Sequence, residues 1–297
     1  MNHVATNRKA TTAGMRAILY VAALLVAIAG YQLFVLTEHT ATYFAWTVKP
    51  PLTAAFLGAA YWGSFVLVLA AAREREWANA RAGAMSALTF TCLTTVATLL
   101  HMDRFHFDSP ATITQVATWA WMLVYWIVPP VLVALALHQS RRPGDDPPRT
   151  TALPRWLRVS LGLQGALLAW FGAMLFLVPE VGAQFWPWPL SPLTARAVAA
   201  WLLGMAVAAT MVLRENDARR SLGPTASYAV VGALELVAVA RYAFTAANAP
   251  NPTPLDWLHA GAWIYSTFML TVFLVGALGF LVLRGTARAA SAQRGMG

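Results

Sequence analysis

Eight stretches of this chain are each long and apolar enough to fill the hydrocarbon core of a bilayer, and that pattern leaves few folds open. The core is about 30 Å thick, so a helix rising about 1.5 Å per residue needs roughly 20 apolar residues to cross it. The stretches lie at about 16–36, 53–72, 82–100, 115–138, 159–178, 197–213, 225–240 and 262–283. Charged residues make up only 11% of the chain and hydrophobic ones 59%, whereas a water-facing surface draws on charges at about a quarter of positions. No alternating barrel pattern appears, and a helix satisfies its own backbone groups in lipid. The expected fold is therefore an all-α integral membrane protein of eight transmembrane helices. The first stretch follows Arg8, Lys9 and Arg16. It is longer than the core of about 7–15 residues typical of a signal peptide, so it reads as an uncleaved helix. The single cysteine, Cys92, lies within the third stretch and has no mate for an internal disulfide; a small buried apolar side chain is the plain reading.

A formal net charge of +9 raises the question of a nucleic-acid partner. Sorting the charges by segment removes it. Seventeen of the 21 Lys and Arg residues fall at the termini and in the second-to-third, fourth-to-fifth and sixth-to-seventh loops; only Lys49, Arg104, Arg196 and Arg241 fall on the alternate side. Basic loops stay in the cytoplasm, so both termini are expected inside, in a cytoplasmic membrane. Contact with anionic lipid headgroups follows as a by-product. The partners expected are the bilayer, a small-molecule substrate and a membrane-protein partner, with no nucleic acid.

The chain also repeats itself. A shift of 141 lays residues 44–76 on 185–217 without a gap and with ten identities, among them Pro51-Leu52-Thr53-Ala54 on Pro192-Leu193-Thr194-Ala195 and Arg73-Glu74 on Arg214-Glu215. A shift of 137 sets Arg104-Phe105-His106-Phe107 on Arg241-Tyr242-Ala243-Phe244. Proline, threonine and ion pairs are not what lipid selects, so the reading is two tandem four-helix repeats, 1–138 and 159–297. They are joined by a Pro/Arg-rich linker at 139–158. Four spans per repeat is an even number, so both repeats insert in the same orientation.

The two faces differ in chemistry. Inside, Arg73-Glu74-Arg75-Glu76 and Arg214-Glu215-Asn216-Asp217 read as mixed charge that solvates helix ends, with a cytoplasmic latch as the sharper alternative. Outside, loops and first turns hold Trp46, Trp119, Trp121, Trp186, Trp188, Trp257 and Trp263. Interfacial tryptophans normally form a belt on both faces, which is the plainer reading; the one-sided excess makes an aromatic-lined external pocket the alternative. Glu235 stands near the middle of the seventh stretch, where a carboxylate costs about 2.5–3.5 kcal/mol even on a lenient insertion scale. It is expected to face the bundle interior, with Arg104 or a polar group on another helix as its partner. Its counterpart at a shift of 137 is Thr98. The candidate substrate-binding set is Glu235, Arg104, Arg241, Trp186, Trp188, Trp46, Glu38 and Glu180. The arginines are suited either to an anionic group or to locking helix ends against the two outer glutamates.

His101, Asp103, His106 and His259 form a thin metal hypothesis. Two histidines five apart do not share a helix face in the manner of metal ligands, so tertiary contact is needed to complete a site. For haem, His101 and His259 are the only outer-side candidates and the inner-side His138 has no clear mate; no cofactor is expected, and no nucleophile-elbow, P-loop or zinc-protease motif is present. The function expected is small-molecule binding or transport through an outward-facing cavity between the repeats. An enzyme or cofactor protein working at the outer face and an accessory subunit are the rivals.

Overall fold

The computed structural model describes residues 8–243 and 255–295, with side chains through 288. Phe244 of the second echo and the side chain of Arg294 lie outside the described residues. Eight helices are long and apolar enough to cross a bilayer: α1 Ala13–Phe34, α2 Pro51–Arg73, α3 Trp77–Leu100, α4 Thr112–Ser140, α5 Arg155–Leu177, α6 Pro192–Glu215, α7 Leu222–Tyr242 and α8 Ala260–Gly295. The protein is thus a multi-pass helical membrane protein, with no extended strand among the described residues.

Local chemistry explains where several helices begin and end. Thr12 caps α1 by accepting from the Met15 amide. Pro51 and Pro192 each stand in the first turn of their helix, where the missing N–H is no loss. Ser191 caps α6 through the Thr194 amide. Asn216 then closes α6 in the left-handed conformation, with φ of 42°. The repeated Pro-Leu-Thr-Ala is therefore a helix-start device.

Four helices form the centre. In their apolar stretches 67% of α2 and 61% of α6 is buried, against 28% of α1, α4 and α8. α2 packs on α7 and α3 on α6, so the first four helices and the last four meet through these two pairs. α1 lies outside α2, α5 outside α6, and α8 against α7. The two central crossings use matching atoms. The Ser86 hydroxyl of α3 donates to the Gly204 carbonyl of α6 at 2.8 Å, and the Ser227 hydroxyl of α7 donates to the Gly63 carbonyl of α2 at 2.7 Å. Both serines and both glycines stand 141 residues apart. Close helix approach at small residues, fixed by a hydroxyl, is the packing expected in lipid, where the hydrophobic effect gives helices no reason to associate.

α7 and α8 approach closely at two glycines. A Cβ on Gly232 would stand 2.4 Å from the Phe273 amide nitrogen, and one on Gly276 would stand 2.3 Å from that of Ala229. α4 packs more loosely on α3, and this leaves space on the flank between α1 and α4.

Candidate functional site

Glu235 is fully buried on α7. The Tyr265 hydroxyl of α8 donates to its Oε2 at 2.8 Å, while Oε1 has no hydrogen-bond partner among the described residues. Tyr265 is in turn packed by tryptophans. Its ring centroid lies 5.0 Å from Trp188 and 6.0 Å from Trp186, both edge-on, and Trp186 stacks on Phe171 of α5 at 5.7 Å. Trp186 and Trp188 are themselves buried. The Trp188 indole donates to Thr53 Oγ1 at 2.8 Å, so the second tryptophan loop is tied to the first turn of α2. The tryptophan end of the bundle is thus a packed aromatic plug.

The first four helices carry a counterpart with different polar chemistry. Trp46 packs on Phe44 at 4.7 Å and on Trp121 at 4.9 Å. The Trp121 indole donates to Thr98 Oγ1 at 3.1 Å, and the hydroxyls of Tyr61 and Tyr125 share a hydrogen bond of 3.2 Å. At the position matching Glu235, a threonine receives the aromatic donor.

Beside each cluster a groove opens on the outer flank of the bundle. One, of about 280 Å³, lies between α5 and α8; the other, of about 250 Å³, lies between α1 and α4. Their walls correspond. Leu25, Val26, Ile28 and Ala29 line the first-half groove, and Leu167, Leu168, Trp170 and Phe171, each 142 residues on, line the second. At 141 the pairs are Phe44 with Phe185, Ala45 with Trp186 and Tyr61 with Leu202. At 140, Trp121, Val124, Tyr125 and Val128 match Gly261, Ile264, Tyr265 and Phe268. The space between the central helices is far smaller, a pocket of about 30 Å³ bounded by Ser64, Trp201 and Tyr228 among others.

The structure therefore brings Glu235, Trp186 and Trp188 together through Tyr265 and places Trp46 in the matching cluster. The other residues of the candidate set lie apart at the rim. Arg104 is exposed and pairs with its neighbour Asp103 at 3.0 Å. Arg241 donates to the Phe34 carbonyl at 2.9 Å and lies over the Tyr242 ring. Glu38 and Glu180 are exposed on short turns. The histidines are likewise separate. His101 Nε2 accepts from Arg196 at 2.7 Å; burial and the Arg196 charge hold its pKa below the ordinary value, which keeps that nitrogen free to accept. His106 bonds Thr47 at 3.0 Å, and His259 bonds Asp256 at 2.6 Å. No group of three or more His, Cys, Asp or Glu side chains converges among the described residues.

Sequence reading missed Tyr265, Thr53 and Arg196. Tyr265 had one signal, its 140-residue spacing from Tyr125, which few identities between α4 and α8 support.

Comparison with known proteins gives no match to a family model, to a curated protein or to a solved structure.

Proposed function

We propose that this protein binds and translocates a small molecule, and that Glu235 with Tyr265 is the polar centre of its site. One observation carries the reading: Glu235 Oε1 is buried without a partner among the described residues. An unpaired charge in a low-dielectric interior is costly, so charge balance asks for one positive charge at this carboxyl, either a proton or a ligand. A carboxyl that holds one or the other is an exchange site, and exchange couples proton movement to ligand movement. The matching carbonyl bonds of Ser86 and Ser227 and the correspondence of the two grooves support the reading of the chain as a duplicated four-helix unit. Within that duplication Glu235 has no acidic counterpart, since Thr98 stands at the matching position. The distribution of basic loops supports a cytoplasmic membrane, with the tryptophan end outside.

The buried tryptophans bear on the rival reading of an accessory subunit. Trp46, Trp186 and Trp188 are turned into the bundle and offer a partner little surface.

The test is a ligand screen on purified protein in lipid nanodiscs, read by intrinsic tryptophan fluorescence and thermal shift, on wild type, Glu235→Gln and Glu235→Leu. Ligands bound by wild type are expected to be weakened by about tenfold or more in both variants, with folding retained in Glu235→Gln. Equal binding in three well-folded proteins removes Glu235 from the mechanism.

A further inference from the structure

We infer that the ligand is a hydrophobic organic cation, and that it reaches the site from the lipid through the groove between α5 and α8; this rests on the reading of Glu235 given above. The groove wall carries Trp170, Phe171, Phe185, Trp186, Tyr265 and Phe268, and among the described residues no Asp, Glu, Lys or Arg lines it. Aromatic rings attract a cation at their negative faces without a formal counter-charge at the surface, and this wall is rich in them. Behind the wall, one hydrogen bond beyond Tyr265, stands the only acid among the described residues of α7 and α8. Charge complementarity therefore selects a positive ligand: an anion meets aromatic rings and a carboxyl, and a neutral molecule brings no charge to balance Glu235.

The groove's position sets the ligand's second property. Trp170, Phe185 and Ile264 are 64%, 67% and 68% exposed on the outer flank, the surface that faces lipid in a bilayer. Toward the tryptophan end, the buried Trp186 and Trp188 pack over Tyr265. A molecule that arrives through lipid must have its charge spread over a large apolar body, because a compact hydrated ammonium does not partition there.

The groove between α1 and α4 is the internal control. It has a similar volume and its own aromatic wall of Phe44, Tyr61, Phe90, Trp121 and Tyr125, but Thr98 stands where the acid would be. There the two tyrosine hydroxyls already satisfy each other. Shape and aromatic character are shared between the grooves, and the buried carboxyl is not.

Tetraphenylphosphonium and tetraphenylborate, nearly identical in shape and opposite in charge, are the probes. Binding is measured on full-length protein in phosphatidylcholine nanodiscs, with empty nanodiscs subtracted. Wild type is expected to bind the phosphonium saturably and the borate not at all. Ile264→Trp, which fills the groove without touching Glu235, and Glu235→Gln are each expected to weaken phosphonium binding by about tenfold or more. Val124→Ala in the other groove leaves it unchanged. Equal binding of the two ions, or phosphonium binding indifferent to Ile264→Trp, overturns the inference. If another compound class binds and depends on Glu235 while the phosphonium does not bind, the cation assignment fails and the role of Glu235 stands. If no ligand of any class depends on Glu235, both fail.

Discussion

A buried carboxyl can accept several hydrogen bonds, yet Glu235 receives a single one, from Tyr265, among the described residues. The acid was legible in the sequence because charge in an apolar span is expensive and therefore conspicuous. Its partner was not, because a tyrosine in a span looks the same whether it serves a site or sits at a lipid interface. Thr53 was hidden in a different way. Its place in a repeated Pro-Leu-Thr-Ala signalled a shared element, whereas its bond to Trp188 joins residues 135 apart, which no local pattern encodes. That bond makes a residue-scale prediction. Thr53→Val keeps the shape and removes the acceptor, leaving the Trp188 indole N–H unsatisfied in a dry interior, at a cost of about 1–3 kcal/mol. Thr53→Ser restores the acceptor and is expected to recover most of the loss. Reversible unfolding in mixed micelles, followed by tryptophan fluorescence, reads both; a Thr53→Val variant as stable as wild type shows the bond to contribute nothing.

Helices are the level at which the sequence was most informative, since apolar length fixes a span regardless of what it packs against. The stretches at 53–72 and 82–100 appear as α2 and α3, the first extended by two residues at its start and one at its end, the second by five at its start alone. What periodicity withheld was the pairing. It could not show that α7 and α8 lie in backbone contact while α4 stands off from α3, since glycine is frequent in spans for many reasons. At α7 and α8 the reason is distance. Gly232 precedes Glu235 by three residues, about one turn, so the approach it permits also sets how closely the carboxyl meets Tyr265. Gly232→Ala brings a methyl group against the Phe273 backbone, which cannot turn aside as a side chain can. Destabilisation of about 1–3 kcal/mol is expected, together with weaker binding of any ligand that depends on Glu235. Gly204→Ala is the matched control. A Cβ there meets nothing closer than 3.4 Å, and the gain in helix propensity makes it neutral or stabilising by up to about 1 kcal/mol. Equal losses from the two substitutions in the same unfolding assay would refute the proposed role of the close approach.

Across the whole molecule, the basic end joins the two four-helix groups by charge. Glu74 after α2 accepts from Arg219 at 3.3 Å, and Glu215 at the end of α6 pairs with Arg81 of α3 at 2.6 Å. The repeated Arg-Glu thus supplies one cross-link in each direction. The sequence placed these charges at helix ends; it did not show them folded inward, because Arg219 and Glu74 are 145 residues apart and only packing decides which charges lose water. A further pair, within the second four-helix group, lies deeper. Arg220 and Glu215 are buried and paired at 2.5 Å, and Arg220 also donates to the Pro147 carbonyl of the linker, whereas Arg219 is largely exposed. Stranding a buried charge outright costs about 3–5 kcal/mol and an exposed pair contributes about 0–1 kcal/mol; loss of Arg220 falls between the two, because Arg81 stays on Glu215. Arg220→Met is therefore expected to be the more damaging and Arg219→Met mild. Asp217 adds a pH signature to the same end. Burial pushes its pKa up, but hydrogen bonds from the Thr150 amide and hydroxyl and the Arg220 and Thr151 amides outweigh that and hold it below the usual carboxylate range. A depressed folded pKa means that the unfolded chain takes up its proton first as pH falls. The contribution of Asp217 is thus complete at neutral pH and is lost as pH drops from about 4 through the lower folded value. Stability measured from pH 7 to pH 3 on wild type and Asp217→Asn should show a gap that is constant above about pH 5 and closes in acid. A gap that persists unchanged to pH 3 means that the carboxylate's charge is not what holds the linker to the α6–α7 turn.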